Sequence, residues 1–153
     1  TSGDAYHLTA PEPNGIGAQQ AMENAIKESK LQLSDIDYIN VHGTSTPLGD
    51  PIEVAAIKNI FKDHVYSLNI SSTKSMTGHL LGAAGAIEAI ASILAINESC
   101  VPPTINLETL DDKLDSNINY TANKKQKKQL NNVISNTFGF GGHNATVLFG
   151  KVM

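Results

Sequence analysis

Cysteine, positive charge and uninterrupted apolar runs are all scarce in this sequence, and each scarcity excludes a class of protein. The single cysteine, Cys100, excludes an internal disulfide framework and is typical of a reducing compartment. The formal net charge of −4 argues against a nucleic-acid surface, because phosphate contacts require clustered lysine and arginine. The longest apolar stretch, residues 80–96, contains Glu88, Ser92 and glycines, so we interpret it as a buried helix and expect no membrane span.

The composition is that of a soluble globular protein, with 41% hydrophobic and 17% charged residues. The 153 residues are enough for a single domain with its own core, so we expect one domain over 1–153. The sequence starts at Thr1 without an initiator methionine, and we expect the natural N-terminus to be absent. A cytoplasmic location is expected, with an organelle left open for that reason.

Apolar periodicity in the first half of the chain predicts helices that alternate with strands. The spacing of alanine, methionine and isoleucine predicts an amphipathic helix over 15–29, and strand formers predict a strand over 37–41. A second helix is predicted to start with Asp50 as the N-cap and Glu53 as its capping-box partner, and to run to about Phe61.

The second half continues the pattern and indicates an α/β fold with helices packed on a sheet. The apolar segment is predicted to be one helix that starts at His79 and is covered on several sides. The lysine-rich run 124–128 is predicted to be a solvated turn. Further strands are predicted around Tyr66 to Ile70 and over 117–122, 132–138 and 146–149, the last two forming a hairpin.

Four polar or glycine-rich segments occur where predicted elements end or begin, and they are the candidates for chemistry. In α/β sheets, sites gather beyond the carboxyl ends of strands, and two of the segments directly follow a strand. The segments are 42–47 (HGTSTP), 71–75 (SSTKS), 78–85 (GHLLGAAG) and 138–142 (FGFGG).

Each candidate also has a simpler interpretation. A single histidine is more often a hydrogen-bonded structural residue than a catalyst. A zinc site from His42, His79 and His143 is disfavoured because the sequence has no short ligand pair such as His-x-x-x-His, and we expect no metal. The glycine-rich turn at 138–142 matches neither a P-loop nor a dinucleotide-binding motif.

Glu88 is the only charged residue in the apolar helix. A buried carboxylate is costly unless it is paired with a cation. We therefore predict an ion pair between Glu88 and Lys74, which follows the neighbouring strand.

Taken in series, four segments resemble the β-ketoacyl-[acyl carrier protein] synthases, most closely the elongating, type II-like enzymes. They are 42–47, 71–85, 101–107 and 136–142. The resemblance implies the C-terminal half of a thiolase-like fold, in which two α/β halves form an αβαβα sandwich. It also implies that the N-terminal half with the nucleophilic cysteine is absent, that the full-length protein is a homodimer, and that no cofactor is used.

The activity implied by the resemblance is a decarboxylative Claisen condensation in fatty acid elongation. Malonyl-acyl carrier protein loses carbon dioxide, and the carbanion attacks an acyl thioester. By similarity, His42 and His79 bind the malonyl thioester carbonyl, where two prepositioned donors stabilise the negative charge that develops. At the head of the apolar helix, His79 is expected to be neutral, because the positive end of the macrodipole disfavours its protonation.

The same resemblance implies roles for five other residues. Lys74 organises the site, with Glu88 as its partner. Thr44 and Thr46 hydrogen-bond the phosphopantetheine arm. Phe140 is the gate, whose backbone N–H helps to form an oxyanion hole, and the surrounding glycines allow it to move.

Two departures from the family pattern limit the prediction. Nothing in the chain matches the nucleophile motif, and Cys100 is a poor substitute because it does not begin a helix that could stabilise a thiolate. His143 stands where many relatives have threonine.

Other functions remain open: a non-catalytic, chain-length-factor-like subunit of a polyketide condensing pair, or a module that only binds carrier protein.

Overall fold

The computed structural model describes residues 1–152, whose largest feature is a five-stranded sheet. The elements in chain order are β1 (Ser2–Gly3), α1 (Ile16–Ser29), β2 (Tyr38–Asn40), α2 (Gly49–Phe61), β3 (Asn69–Ser71), α3 (Lys74–Thr77), α4 (Ala84–Glu98), β4 (Cys100–Val101), β5 (Gln126–Lys127), β6 (Asn132–Gly139) and β7 (His143–Gly150). The strand order is β1-β7-β6-β2-β3, in which β2 runs parallel to β3 and β6 while β7 is antiparallel to β1 and β6. A separate antiparallel pair joins β4 to β5.

The sheet separates two hydrophobic clusters, because neighbouring residues of a strand face opposite sides. Ile39 and Ile134 belong to the cluster that includes residues of α1 and α2. Tyr38 and Val133 belong to the cluster that includes Ala95 of α4. The described chain is therefore an α/β domain with helices on both faces of one sheet, as the sequence predicts.

Several predicted elements are confirmed nearly to the residue. The predicted helix over 15–29 is α1, and its buried face contains Ala18, Ala21, Met22 and Ile26. The strand predicted over 37–41 is β2. The predicted hairpin is formed by β6 and β7, which pair from Asn132 with Gly150 to Gly139 with His143.

Two predicted strands are wrong or shortened. Residues Lys62–Ser67 form a 3-10 helix, so Tyr66 is 47% exposed and the strand begins only at Asn69. The segment 117–122 forms isolated bridges between Asn119 and Asn69 and between Ala122 and Thr104, not a strand. In both cases, the local alternation of apolar residues was outweighed by turns that bring backbone groups into other hydrogen bonds.

The predicted start of α2 is correct in place but wrong in mechanism. The N-cap residue is Leu48, whose side chain makes no capping hydrogen bond, and neither Asp50 nor Glu53 caps the helix. The carboxylate of Asp50 accepts a hydrogen bond from the backbone N–H of Ser45, and Glu53 is buried and bonded elsewhere. These acids hold the preceding loop instead of capping their own helix.

The lysine run is not simply a solvated turn. Gln126 and Lys127 form β5, and the Lys128 ammonium donates hydrogen bonds to the backbone carbonyls of Asp37 and Ser67 and to the side chain of Asn69. Lys128 therefore ties this segment to the ends of β2 and β3, which a charge pattern alone does not indicate.

Helix α4 begins at Ala84, not at His79, because Leu81 has a φ of 53° and the residues 81–83 form a 3-10 turn. It is also not covered on several sides within the described residues. Its buried face packs on the sheet through Ala84, Glu88, Ser92, Ala95 and Ile96. The opposite face exposes Ile87, Ile90, Ile93 and Leu94.

The segment Leu81–Glu98 is long and apolar enough to cross a membrane by length and composition. A helix packed in the core of a soluble protein satisfies the same criteria. On the buried face of this helix, Glu88 pairs with Lys74 of α3, and the Ser92 hydroxyl donates a hydrogen bond to the Glu88 carbonyl within the helix.

Candidate active site

A cavity of about 650 Å³ opens at the carboxyl end of β2, within the size range of ligand pockets. It is bounded by the loop after β2, the segment before α4, the N-terminal segment and the turn between β6 and β7. The sequence-predicted residues that line it are His42, Thr44, Thr46, His79 and Phe140. The structure therefore brings together candidates that are up to 98 positions apart in the chain.

His42 and His79 lie against each other in this cavity. Their ring centroids are 5.5 Å apart, and the ring planes are nearly perpendicular, at 85°. The ring of His42 is also 6.2 Å from that of Phe138. The two histidines, predicted separately from two segments of the sequence, therefore form a pair.

The turn that carries His42 is fixed by Glu53, a residue that the sequence analysis did not place in the site. The Glu53 carboxylate accepts hydrogen bonds from the backbone N–H groups of His42 and Gly43, each at 2.9 Å, and from the side-chain amide of Asn136 at 3.2 Å. Burial raises the pKa of Glu53 to about 7, against the effect of its hydrogen bonds to Gly43 and His42.

A sequence signal for Glu53 did exist. With Ile57 and Ile60 it has the i, i+4, i+7 spacing that places residues on one face of a helix, and both isoleucines are buried. An acid on the buried face of a helix requires partners, as Glu88 does. The capping-box motif offered a simpler interpretation of the same residue, and that interpretation was wrong.

Glycine is required at position 43. Its φ is 35°, and a Cβ there would lie 2.8 Å from the Cβ of Ser72. The Ser72 hydroxyl donates a hydrogen bond to the Gly43 carbonyl at 2.7 Å, which joins the loops after β2 and β3. A larger residue would separate these two loops and move His42 away from the segment that carries His79.

His42 is neutral over the physiological pH range. Burial lowers the pKa of its imidazole to about 3, and the nearby charge of Lys74 acts in the same direction. Its Nδ1 atom is buried and has no hydrogen-bond partner among the described residues. The ring therefore has unused hydrogen-bonding capacity at the site.

His79 does not begin a helix, so the expected effect of a helix macrodipole on this residue is wrong. It lies in the turn between α3 and the 3-10 turn at Leu81. The Nδ1 atom of His79 accepts a hydrogen bond from the Leu81 N–H at 3.2 Å. Since Nδ1 is an acceptor, the proton of the neutral ring is on Nε2, which leaves Nε2–H as a donor.

Lys74 and Glu88 form the predicted ion pair. Lys74 begins α3 and Glu88 lies on the buried face of α4, and both side chains are at most 5% exposed. Burial raises the pKa of Glu88, while the hydrogen bond and charge of Lys74 oppose that increase. The pair joins α4 to α3, and its cation is close enough to affect the ionisation of His42.

The remaining predicted residues line the outer part of the cavity. The hydroxyl oxygens of Thr44 and Thr46 are 3.4 Å apart, and Thr46 accepts a hydrogen bond from the Gly49 N–H. The ring of Phe140 is 66% exposed and lies at the turn between β6 and β7. Cys100 lies in β4, which pairs with β5, and it is not among the residues that line the cavity.

No three His, Cys, Asp or Glu side chains within residues 1–152 are arranged to hold a metal ion. His143 instead places its Nδ1 atom 2.8 Å from the Phe140 carbonyl oxygen.

The family model for the β-ketoacyl synthase C-terminal domain matches residues 1–108. That match covers His42, Thr44, Thr46, Lys74, His79 and Glu88. The chain belongs to the β-ketoacyl synthase family, as its C-terminal domain. The sequence-based prediction of the family is thereby confirmed.

Curated relatives of this C-terminal domain match almost its entire length. The 3-oxoacyl-[acyl-carrier-protein] synthase 2 of Coxiella burnetii is 49% identical over 99% of this chain and 36% of its own length. The protein of the same name from Staphylococcus aureus strain COL is 51% identical, again over 99% of this chain and 36% of its own length. The chain therefore spans about a third of the relatives it matches.

Solved structures agree on the fold. A β-ketoacyl synthase from Burkholderia phymatum superposes with a TM-score of 0.89 at 35% identity, over 99% of this chain and 36% of that one. A ketosynthase bound to a hexaketide, in complex with a type II polyketide acyl-carrier protein, gives 0.93 at 32% identity with the same coverage. The predicted fold class, the C-terminal half of a thiolase-like ketosynthase, is confirmed.

Proposed function

We propose that this chain forms the malonyl-binding half of the active site of a β-ketoacyl-acyl carrier protein synthase that acts in fatty acid elongation. The observation that carries the proposal is the His42–His79 pair, with rings 5.5 Å apart at the wall of a 650 Å³ cavity. Both rings have hydrogen-bonding capacity that the surrounding protein does not use.

The proposed chemistry follows from the protonation of the two rings. When the carbon–carbon bond to the malonyl carboxylate breaks, carbon dioxide leaves and the bonding electrons form an enolate, whose negative charge is on the thioester oxygen. A neutral His42 and the Nε2–H of His79 can each donate a hydrogen bond to that oxygen. Their effect is largest when the charge is fully developed, so it lowers the barrier instead of only binding the substrate.

The enolate carbon then attacks the carbonyl carbon of an acyl thioester, the carbon–sulfur bond breaks, and the thiolate leaves. We propose that this thioester is held by a cysteine in the N-terminal half. Cys100 is a poor candidate because it lies in the β4–β5 pair and is not among the residues that line the cavity. The chain alone is therefore expected to have no condensing activity.

Roles for the other site residues come from the family resemblance and agree with their positions. The ion pair of Lys74 with Glu88 would hold α4 in place, and the Lys74 ammonium contributes positive charge near His42. The Thr44 and Thr46 hydroxyls, on the cavity wall, would bind the phosphopantetheine arm. Phe140, exposed at the cavity edge, would be the gate.

Acyl carrier protein is the proposed partner, since the relatives carry it in their names and one matched ketosynthase was solved with it.

The exposed isoleucines and Leu94 of α4 form an apolar face that the N-terminal half or the second subunit of a homodimer would cover. Identities of 49–51% to proteins named 3-oxoacyl-[acyl-carrier-protein] synthase 2, against 32% to a type II polyketide ketosynthase, favour a condensing enzyme of fatty acid elongation over a chain-length-factor role.

The test is the condensation activity of the full-length protein with His42→Ala and His79→Ala, beside His64→Ala as the control. His64 lies in the 3-10 helix after α2, where its ring contacts the Ile36 carbonyl. Both site variants should lose activity while they still bind carrier protein, and the control should keep it. If the domain only docks carrier protein, both site variants will support normal condensation.

A further inference from the structure

The ring of His143 folds back on the turn that carries Phe140. Its Nδ1 atom lies 2.8 Å from the Phe140 carbonyl oxygen. A carbonyl oxygen can only accept, so Nδ1 carries the proton and donates the hydrogen bond. The ring also covers the turn closely: a Cβ at Gly141 would lie 3.0 Å from two atoms of the His143 ring.

The same peptide group is held on its other edge. The Gly141 N–H, which belongs to the peptide that begins at the Phe140 carbonyl, donates to the Leu8 carbonyl at 2.7 Å. One residue further on, the Gly142 carbonyl accepts from the Asp4 N–H at 2.8 Å. The Gly141 N–H and the Gly142 carbonyl thus attach the turn to the N-terminal segment. Among the described residues, the Phe140 carbonyl is held by the His143 ring.

This attachment matters because the turn itself has little intrinsic preference for one shape. Gly141 and Gly142 have φ angles of 76° and 72°, and glycine samples many alternatives to these values. Phe140 is largely exposed and contributes no core packing that would fix it. Hydrogen bonds to the backbone therefore determine the position of the turn that carries Phe140.

We propose that His143 is a positioning residue that holds the Phe140 turn closed over the cavity, and that the Nδ1–H bond breaks when the turn opens. The proposal rests on the gate role of Phe140 in the proposed function and adds the residue that controls it. Because the bond is exposed to solvent, it biases the turn instead of locking it. Its loss should change the closed-to-open ratio about three- to ten-fold, the effect of one ordinary hydrogen bond.

Two substitutions of nearly the same shape separate the hydrogen bond from the bulk of the side chain. His143→Asn places an amide N–H at the same distance from the backbone as Nδ1, so the donor is kept. His143→Leu has the same branching without a donor. Both should leave the melting temperature of the full-length protein unchanged, since position 143 is exposed and outside the core.

The first measurement is amide hydrogen exchange of the peptide that contains Gly141 and Gly142, in the full-length protein without substrate. Exchange at these amides should be about three- to ten-fold faster in His143→Leu and near the wild-type rate in His143→Asn. Equal exchange in wild type and His143→Leu would overturn the proposal. This readout does not require activity, so it is independent of whether the proposed function is correct.

The second measurement is the rate of acyl loading from an acyl-carrier protein donor. A turn that opens more often should admit the acyl chain faster, so His143→Leu should load faster by a similar factor while His143→Asn does not. Slower or unchanged loading in His143→Leu, with wild-type loading intact, would overturn the positioning role and leave the proposed function in place. No loading by wild type would instead contradict the proposed function.

Discussion

The buried carboxylate of Glu53 accepts a hydrogen bond from the backbone N–H of His42, so an acid on α2 fixes the turn that presents a cavity histidine. With the second bond from Gly43, both oxygens of the carboxylate face N–H donors. The position of the catalytic candidate therefore depends on a residue eleven positions later that does not belong to its motif.

Replacing Glu53 with glutamine should destabilise the full-length protein and weaken its activity. The glutamine amide must place an NH₂ group against one of the backbone N–H donors, and a buried donor without an acceptor costs about 1–3 kcal/mol. The free energy of unfolding from urea denaturation at pH 8, above the pKa of Glu53, measures the effect. Glu23→Gln, an exposed change on α1, is the control and should be nearly neutral. Equal stability of the two variants would contradict this role of Glu53.

The Lys74–Glu88 pair predicts a characteristic pattern in a double-mutant cycle. Either Lys74→Met or Glu88→Met leaves one buried charge without its partner and should lower the free energy of unfolding by about 3–5 kcal/mol. The double variant removes both charges and should cost much less than the sum of the two single changes. Denaturant unfolding of the four proteins gives the coupling energy. Additive effects would show that the two residues do not act as a pair.

His42 should stay neutral far below the pH at which histidine usually gains a proton. NMR signals of its ring in the full-length protein should not titrate between pH 8 and pH 5, because burial lowers the pKa to about 3. The same ring in the unfolded protein should titrate near pH 6.5. A midpoint above pH 5 in the folded protein would contradict the neutral donor on which the mechanism depends.

The sign of the linked effect on stability follows from the same shift. Between about pH 3 and the unfolded value near 6.5, the folded protein binds fewer protons at His42 than the unfolded protein does. The stability that His42 contributes is therefore fully present above pH 6.5 and is lost as the pH falls towards 3. Glu53, whose pKa is raised, acts in the opposite direction between its usual value and about 7, so the NMR titration isolates His42 better than a stability curve does.

The parts of the fold that could be predicted from the sequence are those set by local apolar periodicity. Helix α1, strand β2 and the β6–β7 hairpin follow directly from residues that alternate or recur on one face. The strand proposed at Tyr66 failed because a 3-10 helix occupies 62–67, where Lys62 has a φ of 50°. Such backbone angles are set by contacts between distant segments, so they cannot be predicted from the local pattern of apolar and polar residues.

The residues of the site also divide into those that the sequence could predict and those that it could not. His42 and Lys74 could be singled out because each follows a predicted strand, and Glu88 because it is the only charge in an apolar helix. His79 was a candidate because its segment begins that predicted helix. The roles of the two histidines came from the family resemblance. Glu53 was misassigned because its partner, the backbone of His42, carries no side-chain signal. The non-helical position of His79 also could not be predicted, since it depends on the positive φ of Leu81.

The most direct test of the account is the release of carbon dioxide from malonyl-acyl carrier protein by the full-length protein with no acyl donor present. The His42–His79 pair is assigned to this step alone, so acyl transfer does not affect the result. His42→Ala and His79→Ala should each slow the release by about 100- to 1000-fold, as the loss of one oxyanion donor typically does, and His64→Ala should not. Release at the wild-type rate by either site variant would contradict the assignment of the pair.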